Sequence, residues 1–335
     1  MAVIRVLHVG VGPIGAGVAR QIADRPGFSI VGAVDLDPGK IGHDLGDIIG
    51  SSARLRVRVT DDLALAIKKG RPDVVVHCTG SALTSVMAQL RAILKTKTPI
   101  VSTTEELSYP WRSSPKLANE IDTLARAAKV AVLATGVNPG FAMDALPIMM
   151  TAACERVNRI RVERVQDARI RRIPFQDKIG AGLTPREFEQ RVADKSVRHV
   201  GFTQSIAMIA DAMGWKLDRI TDEVAPKIAT RAVAGARVKV KPGEVAGILQ
   251  DGVGYRKGEA LITLRLEAYL GAPESYDSVT IDGVPPLEMK FAGGLHGDIV
   301  TASMVVNSIP KVIGAAPGLR TMSDMPLPSF FGGGR

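Results

Sequence analysis

A β-strand pattern that runs straight into Gly10-Val11-Gly12-Pro13-Ile14-Gly15, with Asp35 twenty positions further on, constrains this chain more than any other feature. Ile4–Val9 is an apolar run of the kind that forms a buried parallel strand, and helical spacing continues from Ile14 to Ala23. A second apolar run, Ser29–Val34, ends in Asp35. Gly10 permits the tight turn, Gly12 lets the backbone approach a pyrophosphate, and Gly15 lets the helix pack close to the strand. The helix start, entered through Pro13 and Ile14, offers unpaired N–H groups and the positive end of its dipole to phosphates. Asp35 is placed to accept hydrogen bonds from an adenosine ribose. A lone GxGxxG is a weak signal. Strand, glycines, helix, second strand and terminal acid in one unit form a strong one and predict a bound dinucleotide, where a glycine-rich turn that binds nothing would explain only the glycines.

The same residues bear on which dinucleotide. A carboxylate at Asp35 repels a 2′-phosphate, so NAD(H) is the simpler reading, and Asp37 adds negative charge. Lys40 is the counter-signal, because it can swing toward a 2′-phosphate, and it keeps NADP(H) open.

The 335 residues suit two domains with a sizeable core, and 46% hydrophobic content predicts a globular chain. No apolar run reaches the roughly 18–20 residues of a membrane span, and the first residues enter a strand without a basic leader. No membrane association is expected. Two cysteines, Cys78 and Cys154, with no CxxC, fit a reducing cytoplasm and offer no disulfide or zinc framework. The five histidines are scattered without metal-ligand spacing, so no metal is expected. The net charge is +9, and seven arginines fall between Arg156 and Arg172. They could mark a nucleic-acid surface, but Ile160, Val162 and Val165 interleave with them as on one solvated strand face. Aromatic content of 4% gives base stacking little support, so no nucleic-acid partner is expected. A basic surface that attracts an anionic cofactor or substrate is the better reading.

Strand and helix patterns alternate over the first part of the chain. Ile4–Val9, Ser29–Val34, Val74–His77, Ile100–Ser102 and Val130–Leu133 read as parallel strands. Ile14–Ala23, Ile41–Ile49, Leu63–Lys68, Leu83–Leu94 and Pro115–Ala128 read as the helices between them. The expected fold class is α/β. An N-terminal Rossmann dinucleotide-binding domain spans 1–140, and an α+β substrate domain with a mostly antiparallel sheet spans 141–296. Residues 297–335 are expected to return as a helix and tail to the first domain. In the second domain, Ala142–Cys154 and Ala207–Gly214 read as helices, and 157–165, 228–241, 260–269 and 277–291 have strand character.

Ligands of doubly wound sheets sit beyond the carboxyl ends of the strands. That rule selects Cys78-Thr79-Gly80-Ser81, Thr103-Thr104-Glu105-Glu106 and the stretch from Thr135 to Phe141. Cys78 and Thr79 are therefore candidate cofactor contacts. Glu105 and Glu106 follow a strand that should end over the nicotinamide. Adjacent side chains there diverge, so one is expected to hold or deprotonate a nitrogen group while the other faces away or caps the next helix. Glu106 is the favoured of the two and Glu105 the fallback. Asn138, held extended by Pro139, is a candidate for the cofactor carboxamide or ribose, with a plain turn as its alternative. Phe141 and Met143 could line a small apolar pocket or belong to ordinary core. Phe175 lies in a mixed apolar and polar loop that could close over a substrate, before a helix that opens with the capping box Thr184…Glu187. His296 sits at a domain junction and is a further pocket candidate. No Ser-His-Asp spacing, P-loop or HExxH is visible, so the expected chemistry is hydride transfer.

At these residues the sequence resembles the native amine dehydrogenase family, which includes 2,4-diaminopentanoate dehydrogenase. The matching segments are the opening glycine motif, Ser102-Thr103-Thr104-Glu105-Glu106-Leu107-Ser108-Tyr109-Pro110-Trp111, Gly136-Val137-Asn138-Pro139-Gly140-Phe141, Pro174-Phe175-Gln176 with Lys178-Ile179-Gly180, and Gly297-Asp298 with Val306-Asn307. They extend over nearly the whole chain. The resemblance implies an architecture like dihydrodipicolinate reductase and adds Asn307 to the cofactor contacts. The paired-histidine and Asp-Ala-Pro-Ser-Gly-Thr signature of that reductase is missing. The resemblance further implies reversible chemistry, in which a small ketone or aldehyde condenses with ammonia and the iminium takes a hydride, or a primary amine is oxidised in reverse. A glutamate would bind and deprotonate ammonia or the amine. A homodimer joined through the second domain is also implied. Two other readings stay open: a cyclic imine reductase, and a nucleotide-binding sensor that has lost catalysis.

Overall fold

The computed structural model describes residues 2–235 and 238–332. The last residues of the glycine-rich tail, 333–335, lie outside the described residues. The chain divides into two compact units, one made of the residues up to Phe141 and from His296 onward, the other of Ala142–Leu295.

The first unit is built on β1 (Ile4–Val9), β2 (Phe28–Val34), β3 (Val59–Thr60), β4 (Val74–His77), β5 (Ile100–Ser102) and β6 (Ala131–Ala134). Helices α1 (Pro13–Asp24), α2 (Leu45–Ile49), α3 (Leu63–Gly70), α4 (Leu83–Leu94) and α5 (Pro115–Ala128) connect them. After the second unit the chain returns with a helix, Gly297–Ile313, and a short strand, Gly318–Arg320. The seven-stranded sheet has the order returning strand-β6-β5-β4-β1-β2-β3, and every neighbouring pair is parallel. The order reverses between β1 and β4, the switch point at which such sheets bind ligands. Strands of Val, Ile and Leu are buried on both faces, as helix-covered parallel strands must be. Helix α1 shows why its sequence is helical. Pro13 occupies the first turn, Gly15, Val18, Ala19 and Ile22 form one buried stripe, and Pro26 bars continuation. Burying Val18 and Ile22 contributes about 1.5–3 kcal/mol each.

One local expectation for this unit is corrected, and two short strands are added to it. The helix expected over Ile41–Ile49 is confined to Leu45–Ile49. Residues 42–45 pair instead with 57–59: Gly42 N donates to Val59 O at 2.8 Å, Val59 N to His43 O at 3.0 Å and Leu45 N to Val57 O at 2.8 Å. Asp44 then caps α2 by accepting from Gly46 N at 2.9 Å. Strands β3 and Gly318–Arg320, of two and three residues, were not anticipated, because elements so short carry no periodicity.

The second unit contains α6 (Ala145–Thr151), β7 (Arg156–Asp167), α7 (Ile173–Lys178), α8 (Pro185–Ala193), α9 (Phe202–Ala212), β8 (Arg219–Ile228), β9 (Val233–Ala234), β10 (Lys239–Val240), β11 (Val245–Arg256), β12 (Glu259–Tyr269), β13 (Tyr276–Val284) and β14 (Leu287–Ala292). Its six-stranded sheet has the order β14-β13-β7-β12-β11-β8 and is antiparallel except for β7 with β12. The α/β class with a second, mostly antiparallel sheet is therefore the observed one. Arg159 and Arg161 lie on the exposed face of β7, while Ile160 and Val162 face inward. Arg164 is buried in an ion pair with Asp277 and donates to Leu295 O at 3.1 Å.

Here too the structure departs from expectation. The helix expected over Ala142–Cys154 is only Ala145–Thr151, since Asp144 accepts from Ala145 N at 2.6 Å and starts it late. The strand expected over 228–241 lies upstream at Arg219–Ile228, with two short pieces after it. The span 277–291 is a hairpin turning at Pro285-Pro286. Helix α9 starts five residues before the expected Ala207. The loop around Phe175 contains α7, and the Thr184–Glu187 capping box is formed. Strand β11 went unread because Gly247, Gly252 and Gly254 interrupt its pattern.

Candidate active site

The carboxyl end of the first sheet is where the sequence placed its chemistry. Gly10 has φ +91°, and a Cβ there would collide with Cys78 O, so only glycine lets the first loop lie against the end of β4. A Cβ on Gly15 would collide with Gly10 O, whereas one on Gly12 would meet nothing within 4 Å. Gly12 therefore borders open space just where a phosphate must approach. That space belongs to a cavity of about 580 Å³ lined by Gly10, Gly12, Asp35, Lys40, Cys78 and Thr79, among others. The charge suits an adenosine. Asp35 Oδ2 accepts from Val11 N at 2.6 Å and Oδ1 from Asp37 N at 2.9 Å. Burial pushes the Asp35 carboxyl up, but these two N–H groups and the Lys40 ammonium outweigh it and hold it below the usual carboxylate range. Lys40 Nζ lies 3.3 Å from Asp35 and 3.2 Å from Asp37, folded back onto the two acids. Burial pushes the Cys78 thiol up to about 12, so it stands as a neutral wall.

The cradle rests on His8, which is fully buried in β1, with Nε2 3.0 Å from Gly10 O. Burial pulls His8 down to about 4, so the ring is neutral at ordinary pH. Sequence reading did not single out His8. Nor did it find Gln89 and Asp61, which also line the cavity. Gln89 sits inside helix α4, and Asp61 follows the two-residue β3, so neither has a local signal.

Glu105 and Glu106 open a 3-10 turn, Glu105–Ser108, immediately after β5 and Thr104. Glu106 Oε2 accepts from Leu83 N at 2.8 Å and so caps α4, which has no capping side chain of its own. The favoured glutamate thus carries the helix-capping role, and Glu105, the fallback, lies beside it at the strand end. Asn138 is nearly fully buried, yet neither Nδ2 nor Oδ1 has a hydrogen-bond partner, and the Thr135 hydroxyl is likewise unsatisfied. Buried polar atoms without partners cost free energy unless something supplies the bond. Asn307 is a correction. Its Oδ1 accepts from Arg25 Nη1 at 2.7 Å and from Phe331 N at 3.1 Å. Arg25 follows the last residue of α1, at the end away from the glycine loop, so Asn307 anchors the tail and not the cofactor.

The pocket candidates fall in both units. Phe141 and His296 belong to the first, and His296 precedes the returning helix with Nδ1 buried and unpartnered. Met143 and Phe175 belong to the second. Met143 is fully buried, and the Arg171 guanidinium stacks 4.2 Å from the Phe175 ring centroid.

Residues 4–134 match the dihydrodipicolinate reductase N-terminus, and residues 141–334 match the 2,4-diaminopentanoate dehydrogenase C-terminal domain. The chain is 36% identical to the 2,4-diaminopentanoate dehydrogenase of Acetoanaerobium sticklandii, covering 98% of this chain and 95% of that one. It is 22% identical to an amine dehydrogenase of Streptomyces virginiae, over 95% of each. Among solved structures, an amine dehydrogenase from Mycobacterium smegmatis superposes with a TM-score of 0.87 at 26% identity, over 98% of this chain and 97% of that one. The chain belongs to the 2,4-diaminopentanoate dehydrogenase family, oxidoreductases acting on CH–NH2 groups.

Proposed function

We propose that this enzyme interconverts a primary amine with a small ketone or aldehyde plus ammonia, using NAD(H), with Glu105 as the proton-transferring carboxylate. The observation that favours Glu105 over Glu106 is the bond from Leu83 N to Glu106 Oε2, which gives the Glu106 carboxylate a helix to cap. The cofactor side rests on the cradle. Gly10 and Gly12 border the pyrophosphate, the helix start at Pro13 and Ile14 directs its dipole there, Gly15 packs that helix against the loop, Asp35 accepts from the ribose hydroxyls, and Cys78 and Thr79 wall the cavity. Asn138, with both ends of its amide unspent, suits a carboxamide, which needs one donor and one acceptor. Lys40, held by Asp35 and Asp37, leaves the ribose side negative and favours NAD(H) over NADP(H).

Bound NAD(H) supplies or accepts the hydride at the iminium carbon. The protein moves the protons. Glu105 takes a proton from ammonium, freeing ammonia to attack the carbonyl. The same carboxyl returns it as the carbinolamine loses water, leaving the iminium. In the oxidative direction Glu105 accepts a proton from the alkylammonium. Phe141, Met143, Phe175 and His296 are retained as positions whose individual substitution alters substrate choice. A cytoplasmic homodimer is part of the same proposal. No helix among the described residues is long and apolar enough to cross a membrane, and light scattering in solution tests the dimer.

The deciding assay follows oxidation of NADH and of NADPH with small carbonyls, with and without ammonium, in the parent and in Glu105→Gln and Glu106→Gln. The expected result is ammonium-dependent turnover that falls about 10²–10⁴-fold in Glu105→Gln, with NADH binding retained. Turnover lost only in Glu106→Gln would reverse the assignment. Turnover of a preformed cyclic imine without ammonium would make the chain a reductase, and NADH binding without any turnover would make it a sensor.

A further inference from the structure

His77 ends β4 and is fully buried, and both of its ring nitrogens are engaged. Nε2 lies 2.8 Å from Gln89 Oε1 and 2.9 Å from Thr79 Oγ1. On the other side, Nδ1 lies 3.0 Å from Ser102 Oγ. Thr79 and Gln89 line the cofactor cavity. Ser102 ends β5, its hydroxyl lies 3.0 Å from Thr104 Oγ1, and it accepts from Thr104 N at 3.1 Å. Thr104 is the residue on which the Glu105 turn begins. A continuous chain of polar contacts thus runs from Thr79 and Gln89 at the cavity wall, through the buried His77 ring, to buried Ser102 and Thr104, the residue before Glu105.

Satisfying buried polar groups does not by itself account for the ring. Thr79 Oγ1 already donates to Gln89 Oε1 at 2.7 Å, and Ser102 is already paired with Thr104. The ring adds only the link between these two pairs. A second tie lies alongside it: Glu106 N donates to Ser81 O at 3.2 Å while Glu106 Oε2 holds Leu83 N. Two clasps therefore join the loop after β4 to the turn after β5. Burial lowers His77 below its ordinary range, so the ring acts as a neutral bridge.

We propose that His77 is a positioning residue that holds the Glu105 turn in register with the cofactor cavity through Thr79 and Gln89 on one side and Ser102 and Thr104 on the other. The proposal rests on Glu105 being the proton-transferring group. A rigid bridge matters here because a misplacement of about 1 Å at a reacting group can cost about a hundredfold in rate.

The test is a double-mutant cycle of His77→Phe with Glu105→Gln, reading NADH affinity by fluorescence and the rate of reductive amination at saturating substrates. His77→Phe keeps the ring volume and removes the bridge. The expected result is an NADH dissociation constant within about threefold of the parent, a kcat about 10–100-fold lower, and no further loss on adding His77→Phe to Glu105→Gln. An unchanged kcat in folded His77→Phe, or losses that multiply in the double variant, would overturn the proposal. Should His77→Phe fail to fold, Ser102→Ala cuts the same chain on the Glu105 side and must show the same split and the same non-additivity. Full activity in Glu105→Gln alone would remove the Glu105 reading and this proposal with it, whereas multiplying losses would remove this proposal only.

Discussion

In the seven-stranded sheet the decisive glycines lie just past a strand end, whereas in the six-stranded sheet they lie inside a strand and beneath a helix. A Cβ on Gly252 would sit 2.8 Å from Phe202 Cδ1 and 3.0 Å from Ile206 Cδ1, and one on Gly254 would sit 2.9 Å from Ile206 Cγ2. These glycines let α9, whose Phe202, Ile206, Met208 and Ile209 are fully buried, lie close on β11. Gly12 is the opposite case, with nothing near its missing Cβ. A glycine can therefore mark space kept for a ligand or space filled by a neighbouring helix, and the surrounding pattern tells which. Helix start and terminal acid accompany Gly10, Gly12 and Gly15. Neither a helix start nor a terminal acid accompanies Gly252 and Gly254, which lie within one continuous strand after Gln250 and Asp251.

This contrast can be broken by experiment. The largest expected effect concerns acid, and it spans both units. His8 in the first and His199 in the second are held by burial at about 4 and about 3, against an unfolded value of 6.5. The unfolded chain therefore binds more protons below pH 6.5, and stability present above that pH is lost as pH falls. The loss is on the order of 3 kcal/mol for His8 by pH 4. Thermal unfolding followed from pH 7 to pH 4 should show it, and His8→Gln should flatten the slope over that window. An unaltered slope in His8→Gln would mean that His8 does not contribute. Gly252→Val comes next and should cost about 1–3 kcal/mol of stability while leaving NADH affinity intact once folded. Gly12→Ala should do the reverse, leaving the unfolding midpoint in place and weakening NADH by about tenfold or more, roughly 1.4 kcal/mol. If Gly12→Ala proved the destabilising variant of the two, the distinction between ligand space and packing space would fail. The smallest effect is expected from Glu106→Gln, about 1 kcal/mol or less in stability with ammonium-dependent turnover preserved. A loss of turnover there would return Glu106 to the reaction.

Legibility in the sequence followed the length and completeness of each pattern. Strand β1, α1 and β2 could be read because apolar periodicity, glycines and Asp35 all reinforce one another within a single βαβ unit. The helix Leu83–Leu94 and the capping box at Thr184 were equally plain. Strand β3 and Gly318–Arg320 were missed because they exist only by pairing with longer strands. Strand β11 was missed because its glycines answer to α9 and not to any local preference.

The candidate site divides in the same way. The residue types at the strand ends, the cofactor cradle and the family are properties of the sequence, since they depend on adjacency and short spacing. That Glu106 caps a helix, and that Asn307 holds the tail, are matters of tertiary structure alone. Leu83 lies 23 residues from Glu106, and Arg25 lies 282 from Asn307, so no local pattern connects either pair. A carboxylate or an amide takes its role from the donor that the fold brings to it, and only the packed chain specifies that donor.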